Sequence, residues 1–104
     1  MVATTAGRYD LEARLGWSAV AGGRRQLDVT TNTAGTFAAG SVVLSQSFPA
    51  TPVATDAVYV YARVTLDLAA NDYVEMWGFQ TSGAGLTLLN AAGATYLRLR
   101  LVGS

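Results

Sequence analysis

Residues 58–80 decide the fold of this chain, and they read VYVYARVTLDLAANDYVEMWGFQ. The pattern predicts two strands joined by a short turn at residues 69–72, in which Asn71 takes the left-handed backbone conformation that asparagine tolerates. Side chains alternate between the two faces of a strand. The first strand therefore has an apolar inner face and a polar or aromatic outer face, which carries Tyr59, Tyr61, Arg63, Thr65 and Asp67.

The second of these strands carries apolar side chains on both faces. Val74, Met76 and Gly78 share one face, while the other carries Tyr73, Glu75, Trp77 and Phe79. Such a strand needs a cover on each side. No amphipathic helix is predicted elsewhere in the chain, so we expect another copy of the chain to supply the outer cover.

The rest of the chain predicts further short strands and no helix. The most regular alternation lies in residues 7–17, where the inward positions are Tyr9, Leu11, Ala13, Leu15 and Trp17. Gly22-Gly23 predicts a hairpin turn into a strand over residues 25–31, with Leu27 and Val29 inward and Gln26, Asp28 and Thr30 outward. Further strands are predicted over residues 42–48, 86–89 and 95–102. Short strands with regular turns predict an all-β sandwich or barrel.

Composition narrows the function. The 104 residues fit a single domain, and seven arginines balance seven acids, with no lysine, histidine or cysteine. Balanced charge does not favour nucleic acid or anionic membranes. Without histidine and cysteine, Ser–His–Asp and Cys–His catalysis are excluded and zinc is disfavoured. No apolar run approaches the ~20 residues that span a membrane, and the first five residues lack the features of a signal peptide.

Surface composition favours an oligomer. Only 13% of the residues are charged, against about 25% in a typical globular domain, and 51% are hydrophobic. A chain of this kind is expected to hide part of its surface against other copies.

Four stretches together resemble a known class of domain. They are AGRYDLEARLGW (6–17), RRQLDVTTN (24–32), LDLAANDYVEMWGFQTSG (66–83) and TYLRLRLVG (95–103). Their order is similar to that of the compact jelly rolls of the complement C1q globular head and the tumour-necrosis-factor superfamily. The versions at bacteriophage tail-fibre tips and on other phage structural proteins are the most similar. Asn71 stands where that pattern usually has a glycine.

The resemblance implies an antiparallel jelly-roll β-sandwich over residues 1–104 that assembles as a homotrimer. In the family, strands like residues 8–17, 72–80 and 95–102 lie side by side in the sheet nearest the threefold axis. Oppositely charged residues on adjacent strands would then pair across the sheet. The implied interface consists of Asp10, Glu12, Tyr73, Glu75, Trp77, Phe79, Arg98 and Arg100.

Residues 1–6 are expected to be disordered or a linker. The family usually has further strands before the Gly7 strand. Three explanations stay open: the chain is a C-terminal fragment of a longer one, residues 42–48 take the place of a missing strand, or a neighbouring copy completes the sheet.

Binding is expected on loops, which carry function more often than strands do. The candidates lie in residues 35–40, 48–56 and 81–85, and the selected side chains are Thr36, Phe37, Thr51, Thr55, Thr81 and Ser82. Trp17 and Trp77 could stack on sugar rings, but alternation favours a core and an interface role. The spacing of Asp56, Asp67 and Asp72 matches no EF-hand calcium loop. We therefore expect no cofactor, with calcium as the disfavoured alternative.

The pair Arg24-Arg25 is interpreted as the solvent-exposed start of a strand. The alternative is that the pair binds an anionic group. The carboxylates Asp10 and Glu12 are flanked by Arg8 and Arg14, which favours ion pairing over acid–base catalysis. The residues argue against an enzyme, and the resemblance implies a homotrimer on a phage virion, as a fibre tip or capsid decoration that attaches to a host glycan or receptor or only trimerises. The alternative is a bacterial carbohydrate-binding or cell-surface adhesion module.

Overall fold

The all-β prediction is confirmed. A computed structural model describes residues 1–18, 22–49, 58–83 and 93–103. It contains β1 (Gly7–Trp17), β2 (Arg24–Thr31), β3 (Val42–Pro49), β4 (Val58–Leu68), β5 (Val74–Gln80) and β6 (Tyr96–Gly103), with one 3-10 turn at Ala39–Ser41. No α-helix occurs in the described ranges, and none of their segments could cross a membrane as a helix. The strand predicted over residues 86–89 lies outside the described residues.

The strands form two antiparallel sheets, as in a β-sandwich. Sheet I has the order β4–β1–β6, and sheet II has the order β3–β2–β5. β1 pairs with β4 from Gly7 to Trp17, and its other edge pairs with β6. A jelly roll has eight strands, whereas the described residues supply six, so the jelly roll stays a prediction.

The chain crosses between sheets at most of its connections. β2 and β3 are the only described strands that are consecutive in sequence and paired with each other. The hairpin predicted at Gly22-Gly23 is therefore wrong, because both edges of β1 are filled by β4 and β6. Both glycines do adopt positive φ, at 88° and 73°. The turn at residues 69–72 likewise joins strands in different sheets, and Asn71 has the expected left-handed φ of 73°.

The core lies between the sheets and follows the predicted alternation. All five inward residues of β1 are buried, and Leu27, Val29, Val60 and Val74 from the other strands join them. Partly buried residues of β3, β4, β5 and β6 pack around this cluster: Val43, Leu44, Val64, Leu66, Met76, Leu97 and Leu99. Alternation thus placed the inner faces of β1, β2 and β4 correctly. In the last strand, Leu97, Leu99 and Leu101 are predicted inward, but Leu101 is 45% exposed.

The polar residues of β2 are more buried than the pattern indicates. Asp28 and Thr30 lie on the predicted outer face, opposite Leu27 and Val29, but side chains of that face cover them and only 3% and 0% of their surfaces are exposed. Arg25 was expected in a solvated strand start, yet it is wholly buried. Its Nη1 atom donates to the carbonyl oxygens of Gly22, at 2.9 Å, and Arg24, at 3.3 Å. Arg24, by contrast, is exposed.

The first residues are not the disordered linker that was expected. Val2 forms an antiparallel bridge with Tyr73. The Ala3 amide donates to the Asp72 carbonyl oxygen at 2.7 Å, and the Asn71 amide donates to the Ala3 carbonyl oxygen at 2.7 Å. Ala3 is buried in the core cluster. Residues 1–3 therefore lie along the start of β5.

Gly78 allows Trp17 to pack against β5. A Cβ atom at residue 78 would lie 3.0 Å from Trp17 Cζ2 and 3.1 Å from Leu15 Cδ1. We expect Gly78→Ala to lower the free energy of unfolding by about 1–3 kcal/mol, since it overpacks the core. Urea denaturation measures the change.

Gly40→Ala is the matched control, because a Cβ atom there meets nothing within 4 Å. It should leave the free energy of unfolding nearly unchanged or raise it slightly. Equal destabilisation by both substitutions would contradict this account of Gly78.

Candidate functional site

The structure divides the predicted interface between two opposite faces of the sandwich. Asp10 and Glu12 on β1 and Arg98 and Arg100 on β6 belong to sheet I. Glu75, Trp77 and Phe79 lie on β5 in sheet II, with Tyr73 just before it. The strands of residues 8–17 and 95–102 lie side by side as predicted. The strand of residues 72–80 does not join them, because β4 takes the second edge of β1 and β5 pairs with β2.

The outer face of sheet I, here called the arginine–tyrosine face, is a network of paired charges. Its members are Arg8, Asp10, Glu12, Arg14, Tyr59, Tyr61, Arg63, Thr65, Asp67, Tyr96, Arg98 and Arg100. At its centre Asp10 Oδ2 accepts from Arg63 Nη2 at 3.0 Å and Arg100 Nη2 at 3.2 Å, and its Oδ1 accepts from Thr65 at 2.8 Å. These bonds, led by the one from Thr65, lower the pKa of Asp10 below its ordinary value.

Glu12 is the second acceptor of this face. The Tyr61 hydroxyl donates to Glu12 Oε2 at 2.6 Å, and Arg98 Nη1 lies 3.6 Å from Glu12 Oε1. The bond to Glu12 raises the pKa of Tyr61, because ionising the phenol would remove the donated proton. The expected cross-strand pairing of opposite charges is thus confirmed between β1 and β6, and β1 forms further pairs with β4 that were not predicted.

The guanidinium groups project further into solvent than the carboxylates of β1. The Asp10 side chain is 18% exposed, whereas the Arg63 and Arg100 side chains that bind it are 54% and 73% exposed. Two more arginines stack on tyrosine rings: Arg14 lies 4.5 Å from the Tyr59 centroid and Arg98 lies 4.1 Å from that of Tyr96. The outer layer of this face consists of guanidinium groups and phenol rings.

The outer face of sheet II has an aromatic corner formed by Phe37, Trp77 and Phe79. The Phe37 ring meets Trp77 and Phe79 edge-on, with centroids 5.6 and 5.1 Å apart and planes 77° and 76° from parallel. Trp77 Nε1 donates to Thr30 Oγ1 at 2.9 Å. Another copy was expected to cover these rings, but the same chain supplies part of the cover. Phe79 keeps 40% of its surface exposed.

Glu75 holds the segment that carries Phe37. Thr33 Oγ1 donates to Glu75 Oε1 at 2.7 Å, and the Gly35 amide lies 3.1 Å from both carboxylate oxygens. The backbone bond from Gly35 and then the bond from Thr33 lower the pKa of Glu75. Glu75 therefore has an intramolecular positioning role, which the sequence pattern did not indicate.

A polar strip lies beside the aromatic corner, formed by Arg24, Gln26 and Asp28 of β2 with Ser45 and Ser47 of β3. The Asp28 carboxylate accepts from Ser45 Oγ at 2.5 Å and from Gln26 Nε2 at 2.9 Å. Arg24 Nε donates to Ser47 Oγ at 3.1 Å. Of these residues only Arg24 was a candidate for ligand binding, because alternation alone cannot show that polar residues of two strands converge.

The loop candidates have mixed outcomes. Thr36 and Phe37 lie on the segment that Glu75 holds, whereas Thr51 and Thr55 lie outside the described residues. The Thr81 hydroxyl accepts from the Arg24 amide at 2.9 Å, and the Ser82 amide donates to Gln80 Oε1 at 2.8 Å. Thr81 and Ser82 are therefore bonded to residues at the ends of β2 and β5.

The calcium alternative gains no support. Asp67 pairs with Arg8 at 3.4 Å, and Asp72 accepts from the Ala69 amide at 2.8 Å in the turn. Asp56 lies outside the described residues. No group of three acidic, histidine or cysteine residues that could hold a metal occurs within the described part of the chain.

In the described residues, fold and faces together define an antiparallel β-sandwich of six strands, with one charged, tyrosine-rich outer face and one polar, aromatic outer face. No model of a known protein family matches the chain, and no curated protein sequence matches it.

The lowered pKa of Glu75 gives the protein an acid-sensitive segment. Its carboxylate stabilises the fold fully above the ordinary pKa of 4.5, and this contribution is lost as the pH falls through the lower folded pKa. We expect the free energy of unfolding to fall with pH in this range, less steeply in Glu75→Gln than in the wild type. Urea denaturation from about pH 7 to about pH 3 measures the slope.

Asp67→Asn is the matched control, since it also removes one carboxylate but on an exposed pair of sheet I. It should keep the wild-type slope. If Glu75→Gln and the wild type had the same slope, the segment would not depend on this carboxylate.

Proposed function

We propose that this protein is a non-enzymatic structural and binding module that assembles as a homotrimer through the arginine–tyrosine face. The observation that carries the proposal is the exposure of Tyr59 and Tyr61, which are 45% and 43% exposed on a face where four arginines are paired with carboxylates. Tyrosine and arginine are enriched at protein interfaces, while lysine is depleted there. The chain has no lysine at all.

The pairing within the face lowers the cost of burying it. An unpaired charge is expensive to remove from water, whereas a charge that already has hydrogen-bonded partners loses less. Asp10 has three donors and Glu12 has two partners within the protomer. Copies can therefore meet over this face without leaving a carboxylate of β1 unpaired.

This proposal moves the interface away from β5. Trp77 and Phe79 are already packed against Phe37 of the same chain. A second copy would therefore cover less of their apolar surface than of the tyrosines of β4. Of the eight residues predicted for the interface, we keep Asp10, Glu12, Arg98 and Arg100 and add Tyr59 and Tyr61. The threefold symmetry itself is supported by the sequence resemblance to trimeric jelly rolls.

A virion surface is the proposed setting, with the domain as a fibre tip or decoration that attaches to a host. The support is the resemblance of the four quoted stretches to phage structural domains. An extracellular carbohydrate-binding module of a bacterium is the second candidate, and the observation that favours it is the polar strip beside the aromatic corner. The non-enzymatic role rests on the lack of histidine and cysteine and on the engagement of Asp10 and Glu12 with arginines.

Sedimentation equilibrium of the double variant Tyr59→Ala/Tyr61→Ala tests the proposal. The wild type should have three times the 10.8 kDa mass of one chain at low micromolar concentration. The variant should sediment as a folded monomer, because it loses the two exposed rings that fill the interface.

Tyr73→Ala is the matched control, since it removes a tyrosine at the start of β5 in the other sheet. It should stay trimeric. A monomeric wild type would overturn the proposal, and a Tyr73→Ala monomer beside a trimeric double variant would return the interface to β5.

A further inference from the structure

We propose that the outer face of sheet II is a binding site for a neutral saccharide. The site consists of the polar strip and the aromatic corner. This inference rests on the binding part of the proposed function and not on the trimer. It concerns strands β2, β3 and β5, opposite the face that is proposed to meet other copies.

The register places the polar strip directly beside the aromatic corner. Gln26 lies between Ser47 and Phe79, and Asp28 lies between Ser45 and Trp77. Residues opposite each other on neighbouring strands point to the same face, with strands about 4.8 Å apart. A pyranose ring has similar breadth, so a sugar that contacts Phe79 can reach the side chains of the strip.

Asp28 sets which hydrogen-bonding atoms the strip offers. The Asp28 side chain is almost fully buried, with 3% of the residue exposed. Its carboxylate accepts hydrogen bonds from the Ser45 hydroxyl and from one N–H of the Gln26 amide. The Ser45 oxygen lone pairs, the Gln26 carbonyl oxygen and the second amide proton of Gln26 take part in no bond among the described residues. A fixed carboxylate thus orients acceptors and a donor toward solvent, as a ligand with many hydroxyl groups requires.

Arg24 adds donors at the end of the strip. Its Nε atom binds Ser47 Oγ, which leaves the Ser47 hydroxyl proton available for a ligand. The strip carries one exposed cation in Arg24 and one recessed anion in Asp28, so it has no excess charge. A neutral ligand complements this balance better than a polyanion does.

The aromatic corner supplies the apolar surface that sugar recognition needs. The plane of Phe37 stands 77° and 76° from those of Trp77 and Phe79, so Phe37 is nearly perpendicular to each of the other two rings. Aromatic rings bury large apolar areas, and the C–H faces of a sugar ring are apolar. The partial exposure of Phe79 leaves part of this ring open to solvent.

The alternatives fit less well. A second copy packed here would have to cover the recessed Asp28 and the free polar atoms of the strip, which leaves buried groups without partners. An apolar peptide would do the same. Hydroxyl-rich ligands satisfy both the rings and the strip.

Nuclear magnetic resonance titration of the labelled full chain tests the proposal. The probes are maltohexaose, cellohexaose and mannohexaose, with a hexauronate as the anionic comparison. Trp77 Nε1–H reports on the site, and Trp17 Nε1–H, in a residue that is 5% exposed in the core, is the internal reference. A neutral hexasaccharide should shift the signals of Trp77 and of the Gln26 side chain while the Trp17 signal stays in place.

Phe79→Ala should weaken the binding about tenfold, because it removes one ring of the corner. Phe48→Ala is the matched control, because it makes the same chemical change away from the site. Phe48 of β3 is 42% exposed and pairs with Arg25 of β2. This variant should bind like the wild type. Gln26→Ala should weaken the binding as well, since it removes hydrogen bonds to the ligand.

Three results would overturn the site: no shift with any neutral probe, a shift only with the hexauronate, or equal weakening by Phe79→Ala and Phe48→Ala. Sedimentation of the same samples separates this inference from the trimer. If the protein is a trimer but no saccharide shifts its signals, only the binding site is overturned. If saccharide shifts the Trp77 signal of a monomeric protein, only the trimer is overturned.

Discussion

The structure depends on the inner face of β1, where five alternating side chains from Tyr9 to Trp17 are buried between the sheets. β1 is central in sheet I, with β4 and β6 on its edges, so its side chains fix the spacing of the sandwich. Trp17 can pack this closely against β5 because residue 78 is a glycine. The same alternation sends Asp10 and Glu12 outward, where the neighbouring strands bring arginines to them.

Burial and charge make the two outer faces different. On sheet I the carboxylates of β1 are recessed beneath guanidinium groups, and tyrosines remain exposed among them. On sheet II a carboxylate is buried among hydroxyl and amide groups, and the aromatic rings are partly covered by Phe37. These differences are the reason why contact with other copies is proposed for the first face and binding of a neutral saccharide for the second.

Much of the fold could be predicted from the sequence, because a period of two identifies strands and their inner faces directly. Tyr9 to Trp17, Leu27, Val29 and Val74 were placed correctly on this ground. Strand pairing could not be predicted, since Gly22-Gly23 permits a sharp turn without stating whether the next strand joins the same sheet. The aromatic face of β5 was identified, but its cover was assigned to another copy because nothing in the pattern shows that Phe37 folds back onto it. Asp28 and Thr30 lie on the predicted face, but the pattern likewise does not show that neighbouring side chains bury them there.

Hydroxyl-radical footprinting of the wild-type protein tests most directly whether copies meet over the outer face of sheet I and leave that of sheet II exposed. Tyr59 and Tyr61 are 45% and 43% exposed in the protomer and Phe79 is 40% exposed, so unequal protection must come from assembly. With rates normalised to those of the unfolded chain, the account predicts that both tyrosines are protected at micromolar concentration while Phe79 reacts freely. Protected Phe79 beside reactive Tyr59 and Tyr61 would contradict it.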